Sequence, residues 1–357
     1  MAVKTTKART PKRPIKNKKG PRDPFLISRA VRRIIALSVF LLVFIALGTF
    51  GLKTHDNANA ADVNPAKVVS QQWKDSRTLD ISITSPSIEG YTKTVRLLVP
   101  ADWKTSKKTY PTLWLMHGGG GNFEDWTKNT DIAALTANRD LIVVMPDTSW
   151  CSAYTDWWNY GKNGKPAWDT FITSEVRQLL ETSYKANTTR AIAGLSMGGL
   201  GAMKLPATHP GMFQAAASFS GNLDPLHAYN NLTTAPDKPG VSCLADWKRV
   251  WGDYTIPAQK DMWLKNDPFV QADKLASLKY LYVSSGDGLS SPLKVGLNPD
   301  PAEQEVNRQA QAMVAKLKGL NIPVDSHFYS GSHTWPYWQN EMHAALPGIL
   351  TSLGIQP

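Results

Sequence analysis

The chain has 357 residues, 42% of them apolar, and a formal net charge of +11, enough for one large globular domain or two small ones. Residues 1–33 hold twelve of the 40 basic residues and one of the 29 acidic ones, leaving 28 of each in the remainder. A body without net basic charge lacks the electrostatic footprint of a nucleic-acid binder, so nucleic acid is not an expected partner.

In chain order, the basic tail 1–33 precedes an uncharged apolar run, IIALSVFLLVFIALGTFGL, at residues 34–52. A basic flank before an apolar run is an export signature, with the positive end kept on the cytoplasmic side. The run reads equally as a transmembrane anchor, being just long enough to span a bilayer, or as a signal h-region. Ala58-Asn59-Ala60 offers a small-residue cleavage site. The remaining chain is expected outside, in the cell envelope or membrane-anchored, or secreted if cleaved after Ala60. Residues 53–70 are polar and read as a linker, and residues 71–357 as one catalytic domain. Two cysteines, Cys151 and Cys243, form no Cys-x-x-Cys. An exported protein permits a disulfide between them, and the sequence leaves that pairing open.

Two segments, LDISITSPS and TKTVRLLVP, resemble an edge hairpin. Short apolar runs follow, each ending near Gly or Asp: TLWLMHG, LIVVMPD, AIAGLS, AAASFSG and YLYVSSGD. Segments of helical spacing, such as 171–184 and 303–320, lie between them. The pattern predicts an α/β protein, a doubly wound, mostly parallel sheet with helices on both faces. Ligands of such sheets bind outside the carboxyl ends of the strands. Residues 222–275 lack strand signals and read as a lid-like excursion.

Gly194-Leu195-Ser196-Met197-Gly198 sits between an apolar run and a segment able to open a helix. Strand, Gly-x-Ser-x-Gly and helix make a nucleophile elbow, which sets Ser196 as the candidate nucleophile. A serine needs a base, and the order in this fold is Ser, acid, His. Of five histidines after Ser196, only His333 lies just past a strand-like run in a Gly-flanked loop. Asp287, Glu303 and Glu305 compete as the acid. Glu303 shares a helical face with Val306, Ala310, Met313 and Leu317, whereas Glu305 shares one with Gln309, Ala312 and Lys316. Helical spacing thus puts only Glu303 on the buried side. The oxyanion donors are expected to be the N–H of Met197 and that of Gly119 in HGGGGN (117–122). No Gly-Lys-Ser/Thr follows those glycines and no His-Glu-x-x-His occurs, so neither cofactor nor metal is implied. His117, Trp157, Trp158 and Trp335 border the expected site as substrate-binding candidates; the tryptophans would stack on sugar or line an acyl cleft, or serve only as packing.

GLSMGG, YTDWW (154–158), WDTFITSEV (168–176), FSGNLDP (219–225), NDPFVQADKL (266–275) and GSHTWPYW (331–338) together resemble the antigen 85 family of actinobacteria. These are mycolyltransferases, including corynebacterial trehalose corynomycolyltransferases. The resemblance implies an α/β-hydrolase fold with a Ser-Glu-His triad whose acid is a helix-borne glutamate at the place of Glu303. It also implies an acyl ester substrate, with trehalose or another sugar as acceptor. The mycobacterial members carry a sugar-contacting arginine in the oxyanion loop, and HGGGGN has none. Two other readings stand beside transfer: a carboxylesterase hydrolysing lipid or sugar esters, and a non-catalytic envelope or adhesion protein.

Overall fold

The computed structural model describes residues 65–88, 90–162, 166–227 and 247–357. The basic tail, the apolar run 34–52, the small-residue site at 58–60 and Cys243 lie outside the described residues. Among the described residues no helix is long and apolar enough to cross a membrane. Cys151 is disulfide-bonded.

Asn64–Pro357 forms one unit, built on a nine-stranded sheet among the described residues. The strands are β1 (Lys67–Trp73), β2 (Thr78–Thr84), β3 (Thr92–Leu98), β4 (Tyr110–Met116), β5 (Ile142–Pro146), β6 (Ala186–Leu195), β7 (Ala215–Phe219), β8 (Tyr280–Gly286) and β9 (Asp325–Tyr329). They lie in the order β1-β2-β3-β5-β4-β6-β7-β8-β9. The first three and β5 pair antiparallel, and from β5 to β9 every pairing is parallel. Two sequence expectations change here. The linker expected over 53–70 overlaps β1, so the folded unit starts before residue 71. The expected edge hairpin is internal, because β1 covers β2 and β5 covers β3.

The central strands read as unbroken apolar runs because both sheet faces are covered. Successive side chains alternate between faces. Leu113 and Leu115 enter one core with Ala191, Ala193, Ala215 and Ala217. Trp114 and Met116 enter the other with Ile192 and Ala216. Helix α1 (Arg177–Ser183), α2 (Met197–Thr208), α3 (Pro257–Asn266), α4 (Pro301–Gly319) and α5 (Trp335–Ser352) follow in chain order. Leu180 of α1, Met203 and Leu205 of α2, and Met313 and Leu317 of α4 pack on the Trp114 face. Met342, Leu346 and Ile349 of α5 pack on the opposite face. Within the excursion 222–275, the described part contains α3 and packs Trp251 and Trp263 against Leu200 of α2.

After β4 the chain moves to β5 on one side, and β6 then returns to β4's other side. That reversal opens a crevice beyond the carboxyl ends of β4 and β6, where the HGGGGN loop and Ser196 emerge. One buried charge fixes α2 beneath this crevice. Lys204 donates to Asp169 Oδ2 at 2.7 Å and to Tyr154 O at 2.9 Å, with 1% of its side chain exposed. His209 Nε2 meets Asp169 Oδ1 at 2.5 Å. Burial alone would raise the Asp169 pKa, but Lys204 and His209 hold it well below the usual carboxylate range. Lys204→Ala would leave that carboxylate poorly compensated. The expected loss is about 3 kcal/mol, the low end for breaking a buried pair because His209 remains, read from urea unfolding.

Candidate active site

Ser196 is the N-cap of α2, with φ 53° and ψ −120°. A non-glycine residue in this region is strained and persists only where its surroundings fix it. Here they do. Ser196 N donates to Phe219 O at 3.0 Å, and Leu200 N to Ser196 O at 3.1 Å. A Cβ on Gly198 would stand 2.3 Å from Met116 O, and one on Gly194 would stand 2.3 Å from Gly198 O. Glycine at both positions therefore lets α2 start directly against the ends of β4 and β6. Ser196 remains half-buried and reachable. Met197 contributes the first N–H of α2, a donor with no intrahelical partner, at the end of the helix that favours negative charge.

The HGGGGN loop lies beside this turn: a Cβ on Gly118 would be 3.5 Å from Ser196 Cβ. The loop closes by Gly121 N donating to Gly118 O at 3.1 Å and Gly120 N to Trp150 O at 3.3 Å. Gly120 takes φ +76°, a conformation glycine adopts without strain. Gly119 is exposed, and among the described residues its N–H donates to no protein acceptor.

His117 is not open to a ligand, contrary to the substrate-binding expectation. It is 1% exposed. Its Nδ1 faces Gly118 O at 2.7 Å, so that nitrogen carries the proton, and Nε2 accepts from Thr148 N at 3.1 Å. Burial lowers its pKa to about 4. The neutral ring ties the HGGGGN loop to the loop after β5. Tyr154 adds a second brace, its hydroxyl donating to His117 O at 2.8 Å.

Glu303 lies on the buried side of α4, where helical spacing put it, and meets His333. Glu303 is 0% exposed, and its Oε2 lies 2.6 Å from His333 Nδ1. Glu303 Oε1 accepts from Ser220 Oγ at 2.7 Å, Ser285 Oγ at 2.9 Å and Gly286 N at 2.6 Å. Asp300 caps α4, accepting from Ala302 N at 3.1 Å and Glu303 N at 3.2 Å through Oδ1. Its Oδ2 accepts from His333 N at 2.8 Å. Trp338 packs edge-on to the imidazole, ring centres 4.9 Å apart at 87°, and its Nε1 donates to Ser220 Oγ at 2.9 Å. The rival acids are occupied elsewhere: Asp287 accepts from Leu289 N and Ser330 Oγ, and Glu305 pairs with Arg308. Among the described residues no hydrogen bond joins Ser196 Oγ to His333.

Sequence reasoning missed Ser220, Ser285 and Asp300. A signal existed, since FSG and SSG place a serine at the carboxyl ends of two strands that pair side by side. Of the tryptophan candidates, Trp157 and Trp335 pack their side chains on protein groups. Trp157 Nε1 donates to Ser152 O at 3.1 Å, and the Arg249 guanidinium stacks 4.6 Å from its ring. Trp158 N donates to Val250 O at 2.8 Å. Trp335 packs edge-on to Trp126 at 5.5 Å and Trp338 at 5.4 Å.

The sheet order and the elbow at its reversal define an α/β-hydrolase. Among solved structures, the S-formylglutathione hydrolase of Agrobacterium tumefaciens shares the fold with a TM-score of 0.61 at 17% identity, over 80% of this chain and 99% of that one. Mycobacterium tuberculosis MPT51 (FbpC1) has a TM-score of 0.57 at 23% identity, over 76% of this chain and 96% of that one. Diacylglycerol acyltransferase/mycolyltransferase Ag85A of Mycobacterium leprae (strain TN) is 32% identical over 262 residues, 69% of this chain and 77% of that protein. Ag85B of the same organism is 31% identical over 263 residues, again 69% and 77%. Residues 85–349 match the family described as "Putative esterase", and the chain belongs to that family.

Between pH 6.5 and about 4 the unfolded chain protonates His117 while the folded chain keeps it neutral. Stability therefore falls as pH drops through that window. Urea unfolding near pH 7 and at about pH 4.5 should show a loss of about 2–3 kcal/mol through this residue. His117→Gln, which keeps a donor and an acceptor, should show a correspondingly smaller loss between the two conditions.

Proposed function

We propose that this protein is an exported serine acyltransferase of the mycolyltransferase kind, moving an acyl chain between sugar esters through an acyl-enzyme. The observation that carries it is the buried Glu303–His333 hydrogen bond opposite a strained serine elbow. Kinship with the Ag85 acyltransferases supports acyl transfer, and the basic tail and apolar run 34–52 support export.

Ser196 Oγ attacks the ester carbonyl while His333 Nε2 takes its proton, a contact that tightens as substrate binds. Glu303 keeps Nδ1–H oriented and stabilises the imidazolium. The oxyanion rests on the N–H groups of Gly119 and Met197. His333 then protonates the departing alkoxide, leaving an acyl-Ser196 ester. The acceptor hydroxyl, deprotonated by His333, attacks that ester and takes the acyl group, and His333 returns the proton to the departing Ser196 Oγ. Water as acceptor gives the carboxylesterase reading, which the arginine-free HGGGGN loop favours. A purely adhesive role gives no reason to bury a carboxylate and aim an imidazole at it, an arrangement costly in desolvation.

Ser196→Ala should lower kcat on p-nitrophenyl acyl esters by about 10³-fold or more. Glu303→Gln should cost about 10²–10⁴-fold, with Asp287→Asn near wild type; the reverse order would exclude Glu303 as the acid. With an acyl ester donor and trehalose, mass spectrometry should find acylated trehalose; free acid alone would establish hydrolysis.

A further inference from the structure

The segment between β8 and α4, residues 288–299, exposes three leucines: Leu289 at 67%, Leu293 at 47% and Leu297 at 64%. This exposure is built in, because the backbone is fastened along its length. Gly288 N donates to Gly331 O at 2.9 Å, and Asp300 N to Gly288 O at 2.8 Å. Leu293 N donates to Tyr337 Oη at 3.1 Å, and Ser332 Oγ to Val295 O at 2.8 Å. Three of these four bonds tie the segment to 331–337, the stretch that carries His333. The segment is therefore anchored to the stretch that carries His333, with its leucines exposed along it. Trp150, 55% exposed, lies beside Gly120 of the HGGGGN loop.

Lys294 is exposed and is the segment's one ionisable side chain. Of the two flanking carboxylates, Asp300 is buried and bonded to α4 and His333 N, while Asp287 accepts from Leu289 N and Ser330 Oγ near the surface. Exposed apolar side chains around a cation match the boundary of an anionic lipid layer, where leucines enter the acyl region and lysine meets headgroups. The sequence itself carries an apolar run of bilayer-spanning length at 34–52.

We infer that Leu289, Leu293 and Leu297, with Lys294, form a lipid-docking rim that brings the Ser196–His333 mouth onto the surface holding its acyl ester. This rests on the acyl-ester reading above and adds that the substrate is taken from a lipid layer.

The test uses the full chain and vesicles of phosphatidylcholine with phosphatidylglycerol. Hydrogen exchange of the 288–299 amides should slow on adding vesicles. The slowing should disappear in the triple variant Leu289→Ser, Leu293→Ser, Leu297→Ser, and weaken in Lys294→Glu. In parallel, the ratio of activity on a vesicle-borne long-chain ester to that on soluble p-nitrophenyl acetate should fall about tenfold or more in the triple variant. Unchanged exchange in the wild type, or an unchanged ratio in the variant, overturns the proposal. A chain inert on both esters defeats the acyltransferase reading, while the exchange measurement still decides the docking.

Discussion

A carboxylate with no solvent-exposed surface organises this molecule. Glu303 reaches its place as the third residue of α4, whose start Asp300 caps. Removing a carboxylate from water is costly, and it is tolerated only with hydrogen bonds on both oxygens. Three donors meet Oε1, from the ends of β7 and β8, and His333 meets Oε2. The parallel register that sets β7 beside β8 is thus what makes the charge affordable. His333, hung from Asp300 and walled by Trp338, has little freedom beyond facing it.

The other half of the site is held by groups that keep one protonation state. His117 stays neutral because it is buried, and its fixed tautomer ties two loops together. Tyr154 keeps its proton because burial raises the phenol well above its ordinary range. Its hydroxyl fixes the HGGGGN loop while its carbonyl takes Lys204. The Asp169–Lys204 pair, Tyr154 and the HGGGGN loop thus form one hydrogen-bonded chain running from the underside of α2 to the sheet's carboxyl edge.

Much of the fold was legible because β4 to β8 are covered on both faces and appear as apolar runs. The strand β1 was not: its residues are mostly exposed, so no alternation marks it off from a linker. The elbow was legible because its steric demand imposes glycine at two fixed positions. Glu303 was legible from the face of its helix, which also carries Ala310, Met313 and Leu317 into the core. His117 was misread, since a histidine beside glycines looks the same whether it faces a ligand or braces a loop. The cradle of Ser220 and Ser285 depends on strand order, and no local spacing encodes the meeting of Ser220 with a carboxylate 83 residues away. The tryptophans give the same lesson, because packing partners such as Arg249 and Trp126 come from distant segments.

The position of the pieces along the chain has a consequence for timing. Ser196 and its loop are complete when the chain has passed β6, but Glu303 and His333 belong to the last sixth of the sequence and need β8, β9 and α5 to be in place. Under the proposed function, a chain exported in extended form would carry an unactivated serine for the whole passage, and ester chemistry would begin only once the final helix had folded outside.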